Sequence, residues 1–200
     1  MTPNPSIERT LGTSGSAMLF GNRSTFAVEA MIEEGLKPPT TAWGRVCVWC
    51  EGAPIGDIAE EHCGIDHAFH RLSQLVESLG DLWREEFSGL TDLEILNALD
   101  GRLYGYHGNV RIEDDRSLEE LRADASTYGK FDFLTGCGEP FDRNGKCFVI
   151  QDPSGLVKIL GNELPAGHGI CVTTTAQDLR SAVIPAVEWF NKQSKSLAGL

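Results

Sequence analysis

No stretch of this 200-residue chain has the roughly 20 consecutive apolar residues that a membrane-spanning helix needs; runs such as Arg45-Val-Cys-Val-Trp-Cys50 fall far short. Met1 to Ser16 contain Pro3, Pro5, Glu8 and Arg9 but no apolar h-region, so no secretory signal is expected and the protein is placed in the cytoplasm. Basic residues are scarce: 17 Lys and Arg stand against 29 Asp and Glu, a net charge of −12. That balance disfavours nucleic acid as a partner, because phosphate binding needs clustered cations. It suits a protein partner with a basic surface, drawn in by electrostatic steering, and by itself it equally describes a soluble acidic bacterial protein with no such partner. Also missing are a GxSxG elbow, a phosphate loop and an HExxH helix, so no familiar catalytic constellation is present. No internal repeat occurs, and no linker divides two cores.

A chain of this length buries enough apolar surface to fold without disulfides or metal. Its six cysteines are therefore read as buried thiols of a reducing compartment rather than as a disulfide framework. The acidity is regional. Residues 77–142 carry −10 of the −12, with carboxylates at Glu77, Asp81, Glu85, Glu86, Asp92, Glu94, Asp100, Glu113, Asp114, Asp115, Glu119, Glu120, Asp124, Asp132, Glu139 and Asp142. Only Arg84, Arg102, Arg111, Arg116, Arg122 and Lys130 oppose them.

The pattern along the chain predicts a single α+β domain over 16–200, mainly antiparallel sheet with helices packed on it, after a mobile, Pro- and Ser-rich tail at 1–15. A short apolar run at 16–20 is followed by a turn at Gly21-Asn22. Residues 25–33 alternate as a half-buried strand, with Phe26, Val28, Ala30 and Ile32 on one face. A loop at 35–41 leads to the strongest strand, 43–50, and Glu51-Gly52 turns it into a short partner around Ile55. Helical spacing then links Phe69, Leu72, Leu75, Val76 and Leu79 up to Gly80. Capping boxes at Thr91–Glu94 and Ser117–Glu120 open two more helices, the first stopped by Gly101 and the second before Gly129. A hairpin follows, 146–150 and 156–160 around Asp152-Pro-Ser-Gly155, then a strand at 169–173. Thr175 and Asp178 cap a last helix, which Pro185 is expected to kink or loosen.

Chemistry-bearing residues are few. Cys47 and Cys50 have the CxxC spacing, but on a strand they point to opposite faces, which suits a core and not a dithiol or zinc pair. His62, Cys63, His67 and His70 cluster in sequence, yet no second ligand pair stands at a recognised zinc spacing. Cys137 lies between glycines, which could expose a thiol; with His107 or His168 it would make a Cys–His hydrolase, and the alternative is an ordinary turn. No cofactor is implied. The alternatives to a binding protein are thus a small thiol hydrolase or a zinc-binding module.

Three stretches in order resemble the bacterial immunity protein 42 family. They are Met18-Leu-Phe-Gly-Asn-Arg-Ser-Thr-Phe-Ala-Val-Glu29, then Trp43-Gly-Arg-Val-Cys-Val-Trp49 with Gly52-Ala-Pro-Ile-Gly-Asp57, and Gly138-Glu-Pro-Phe-Asp142 ahead of the hairpin. The similarity spans about 18–190, which leaves 1–17 as an extension or the product of an upstream start codon. The resemblance implies an α+β immunity protein of a polymorphic toxin system that inhibits a cognate toxin by direct contact and is not an enzyme. Phe20, Gly21, Trp43, Gly44, Arg45, Trp49, Gly56, Asp57, Gly138, Glu139, Phe141 and Asp142 carry it, and their chemistry suits fold maintenance. The Glu113-Asp-Asp115 region and the His/Cys cluster depart from the family pattern. The toxin-contacting residues are therefore expected in the acidic middle, at Glu85, Glu86, Asp92, Glu94, Asp100, Glu113, Asp114, Asp115, Glu119 and Glu120. There an acidic face could cover a basic, nuclease-like cleft as a nucleic-acid mimic.

Overall fold

The computed structural model describes residues 16–33, 42–142, 145–165 and 167–197; the tail at 1–15 and the 35–41 loop lie outside them. An antiparallel meander comes first: β1 Met18–Asn22, β2 Phe26–Ile32, β3 Trp43–Cys50 and β4 Ala53–Ile55, with the short β5 Cys63–Gly64 pairing the start of β3. Helices α1 Asp66–Ser78 and α2 Asp92–Tyr104 follow, then a small hairpin of β6 Tyr106–His107 and β7 Val110–Arg111. Helix α3 Leu118–Tyr128 and the single turn α4 Glu139–Asp142 lead to a second antiparallel sheet. Its strands β8 Cys147–Gln151, β9 Leu156–Gly161 and β10 Cys171–Thr175 lie in the order β10-β9-β8, and α5 Ala176–Leu197 closes the chain. The protein is a single α+β domain.

The core forms because α5 lays its apolar stripe on β1 and β2 and α1 packs in turn against α5. Phe69 of α1 stacks on Phe190 of α5 with ring centres 4.2 Å apart, and Trp189 meets Phe20 of β1 at 5.6 Å. The second sheet joins the first where the Cys50 thiol donates to the Thr173 carbonyl oxygen at 3.2 Å. One buried cluster runs through both sheets and through α2, where Ile95, Leu96 and Leu99 face inward.

Several boundaries differ from those the sequence predicts, each for a tertiary reason. Strand β2 is buried on both faces, not one. On the face away from Phe26 and Val28, Ala27 sits beside Trp49 in the ladder and Met31 beside Arg45, so long side chains of β3 flank this face of β2. Gly21 and Asn22 remain in β1, and the turn falls on Arg23–Thr25. Helix α2 runs past Gly101 to Tyr104 and ends at Gly105, which adopts φ +72°. Gly101 instead permits close packing: a Cβ there would lie 3.3 Å from both His107 Nε2 and Ile112 Cδ1. Strand β10 begins at Cys171, two residues later than the pattern places it. Helix α5 is unbroken through Pro185, held on both sides of it by buried Leu179, Val183, Ala186 and Phe190.

Candidate functional site

The motif residues converge on the meander and its rear face. Gly44 must be glycine, since a Cβ would collide with the Met31 carbonyl oxygen across the ladder. Gly21 is barred in the same way by Phe26 and Ala182. Trp43 flanks Gly44 and pairs with Gly64 of β5. Arg45 Nε donates to Glu33 at 2.9 Å and its Nη2 to Glu61 at 2.6 Å, binding the start of β3 to the segments beside it. Burial pushes the Glu33 carboxyl up, but hydrogen bonds from Arg45 and His62 outweigh that and hold it below the usual range. Trp49 Nε1 donates to Glu29 at 2.9 Å, and the Arg23 guanidinium lies 4.7 Å from the Trp49 ring centre.

Gly56, at φ +98°, makes room for the Phe141 ring, which would be 2.9 Å from an added Cβ; the C-terminal motif thereby docks on β4. Asp57 caps the next turn by accepting from the Ala59 amide at 2.8 Å. Gly138 has φ +105°, a left-handed value that turns the chain into α4, where Glu139, Phe141 and the backbone of Asp142 lie. Beside this face a cleft of about 470 Å³ is lined by Trp49, Pro54, Ile58, Pro165, Asp57 and Glu163.

The acidic middle is less exposed in charge than its sequence balance implies. Asp100 is a correction: it is wholly buried, accepting from Lys146 Nζ at 2.6 Å and from the Gly108 amide at 2.8 Å, so it anchors the β6–β7 hairpin and presents nothing to a partner. Asp92 pairs with Lys158 at 2.8 Å and Asp132 with Arg71 at 3.2 Å. Glu94 and Glu120 close the capping boxes of α2 and α3, each accepting from its N-cap amide at 2.7 Å. Glu86 accepts from the Tyr128 hydroxyl, whose ring lies under the Arg102 guanidinium at 4.6 Å. Asp114 and Asp124 hold Arg116, which also donates to the carbonyl oxygens of Gly101 and Arg102 at 2.9 and 3.0 Å. Among the described residues Glu77, Glu85, Glu113, Asp115 and Glu119 are exposed and have no ion-pair partner.

The cysteine and histidine candidates do not assemble. His62 Nδ1 lies 2.7 Å from Glu33, Cys63 is buried, and His67 and His70 are exposed on α1. Among the described residues no three His, Cys, Asp or Glu side chains are grouped so as to hold a metal ion. Cys47 and Cys50 do point to opposite faces, reaching the carbonyl oxygens of Gly56 and Thr173. Cys137 lies in an ordinary turn, its amide donating to the Leu134 carbonyl oxygen, and offers no exposed thiol: it is 2% exposed, and burial pushes its thiol up to about 11. No disulfide forms, and five of the six thiols are buried. No described helix is long and apolar enough to cross a membrane.

The model of the family described as immunity protein 42 matches residues 18–190, most of the chain and the span in which all three motifs lie. The chain belongs to the immunity protein 42 family. It is an immunity protein, a toxin inhibitor of bacterial competition, and membership implies a cognate toxin as its binding partner. A crystal structure of CdiI from Burkholderia dolosa AUO158 is similar in fold, with a TM-score of 0.55 and 15% identity over 86% of this chain and 99% of that one. No curated protein matches.

Proposed function

We propose that this immunity protein acts in the cytoplasm and works without catalysis, by binding its toxin directly and covering a cationic, nuclease-like active site. What supports this most is the division of the acidic middle. Most of its carboxylates serve the fold, while Glu77, Glu85, Glu113, Asp115 and Glu119 face solvent without an ion-pair partner among the described residues. Such charges speed encounter with a basic surface and weaken with ionic strength. The motif residues supply the scaffold, and the partner is read by the exposed acidic side.

The test is direct. The polypeptide encoded by the reading frame beside this one is purified and mixed with the protein at low and high salt. A one-to-one complex whose association slows as salt is raised is expected. Failure of the two to bind contradicts the reading.

A further inference from the structure

From Asn109 to Ser126 not one residue is buried. The stretch nevertheless carries Leu118 at 63% and Leu121 at 37% exposure, apolar surface that gives nothing to the core. Leu118, Leu121 and Ala125 are spaced three and four apart on α3, so they form one continuous flank of that helix. Asp124 and Tyr128, which bind Arg116, Arg102 and Glu86, turn the adjoining face toward α2, and Leu121, seven residues before Tyr128, lies at the border between that face and the open flank of Leu118 and Ala125. The helix is thus fastened on one side by charge and left apolar on another.

Around that flank stand Glu113 and Asp115 on the segment entering α3 and Glu119 in its first turn, none with an ion-pair partner among the described residues, and the exposed Arg122, four residues on from Leu118, stands beside them so that the rim is acidic in balance. We propose that this flank of α3 is the surface that docks the toxin, with Leu118 and Leu121 at its centre and Glu113, Asp115 and Glu119 at its rim. The toxin would meet it with an apolar patch ringed by Lys and Arg. The assignment rests on the direct-binding reading above and gives it a location. An apolar centre with a polar rim is the anatomy of a protein interface. A second copy of this chain is the poorer occupant, because a two-fold contact would bring the same carboxylates against one another.

The experiment measures binding to the toxin polypeptide encoded by the adjacent reading frame, with circular dichroism and thermal unfolding run on every variant. The pair Leu118→Ser and Leu121→Ser is expected to weaken binding about 30-fold, mainly through faster dissociation. The triple variant Glu113→Lys, Asp115→Lys, Glu119→Lys is expected to slow association about tenfold and flatten its salt dependence. Ile184→Ser, at an apolar position on α5 whose exposure lies between those of the two leucines, should bind as the natural protein does. If both α3 variants bind within about twofold of the natural protein, the surface is wrong while the direct-binding reading stands. Absence of any complex with the natural protein overturns the reading and the surface together. A dimer of this chain alone that the leucine variant breaks overturns the toxin as occupant.

Discussion

The meander with α1 and α5 and the lobe from Tyr106 to Tyr128 are held by different forces. In the first, rings stack, β2 is buried on both faces, and glycines stand where any larger residue would strike backbone. In the second, an arginine does what a core does elsewhere: Arg116 ties the segment before α3 to the end of α2 and to Asp124, while Lys146 and Asp100 pin the hairpin. The contrast separates two demands on one sequence. Residues that fix the scaffold are packed and intolerant of change, whereas a segment fastened by a few charged anchors leaves its outer side chains in solvent, which is where the proposed toxin contact is placed.

Removing a core ring gives the largest effect expected on either side of this comparison. Phe69→Ala should lower unfolding free energy in urea by about 3–5 kcal/mol, because it deletes a fully buried ring and leaves a cavity against Phe190. Arg116→Ala should cost less, about 2 kcal/mol, and should act locally, because it removes several charge-assisted hydrogen bonds at a half-buried site. Hydrogen exchange should quicken across 109–126 and stay unchanged in β2 and β3; a uniform change would erase the distinction between the two regions.

Acid sharpens the same point. The hydrogen bond from Arg116 lowers the Asp114 carboxyl below its usual range. A depressed carboxylate stabilises above its unfolded pKa and loses that contribution as pH falls through the folded value. The anchoring of the lobe should therefore be complete between pH 5 and 7 and fade below about 4, and in Arg116→Ala this fading should be absent. The smallest expected effect is none: Cys137→Ser should leave protection of toxin-producing cells unchanged, and loss of protection would revive a thiol-based mechanism.

Features set within a few residues were legible in the sequence. The capping boxes at Thr91–Glu94 and Ser117–Glu120 stand as read, as does the hairpin around Asp152-Pro-Ser-Gly155, because each depends on neighbours three or four apart. Distant partners were not. Asp100 and Lys146 are 46 residues apart, and Asp92 and Lys158 are 66 apart, so a regional charge balance counts as surface what lies in ion pairs. Likewise, nothing in the spacing of leucines separates buried Leu96 from exposed Leu118. Why Gly44 and Gly56 must be glycine was not legible either, because it depends on Met31 and Phe141 from other elements.

The most direct test of the account is a hydrogen-exchange map of the protein free and in complex with the toxin polypeptide from the adjacent reading frame. Slowed exchange concentrated in 109–126, with β1 to β4 unchanged, is the predicted result. Protection confined to the cleft beside Trp49, Pro54 and Ile58, with α3 exchanging as in the free protein, would contradict it.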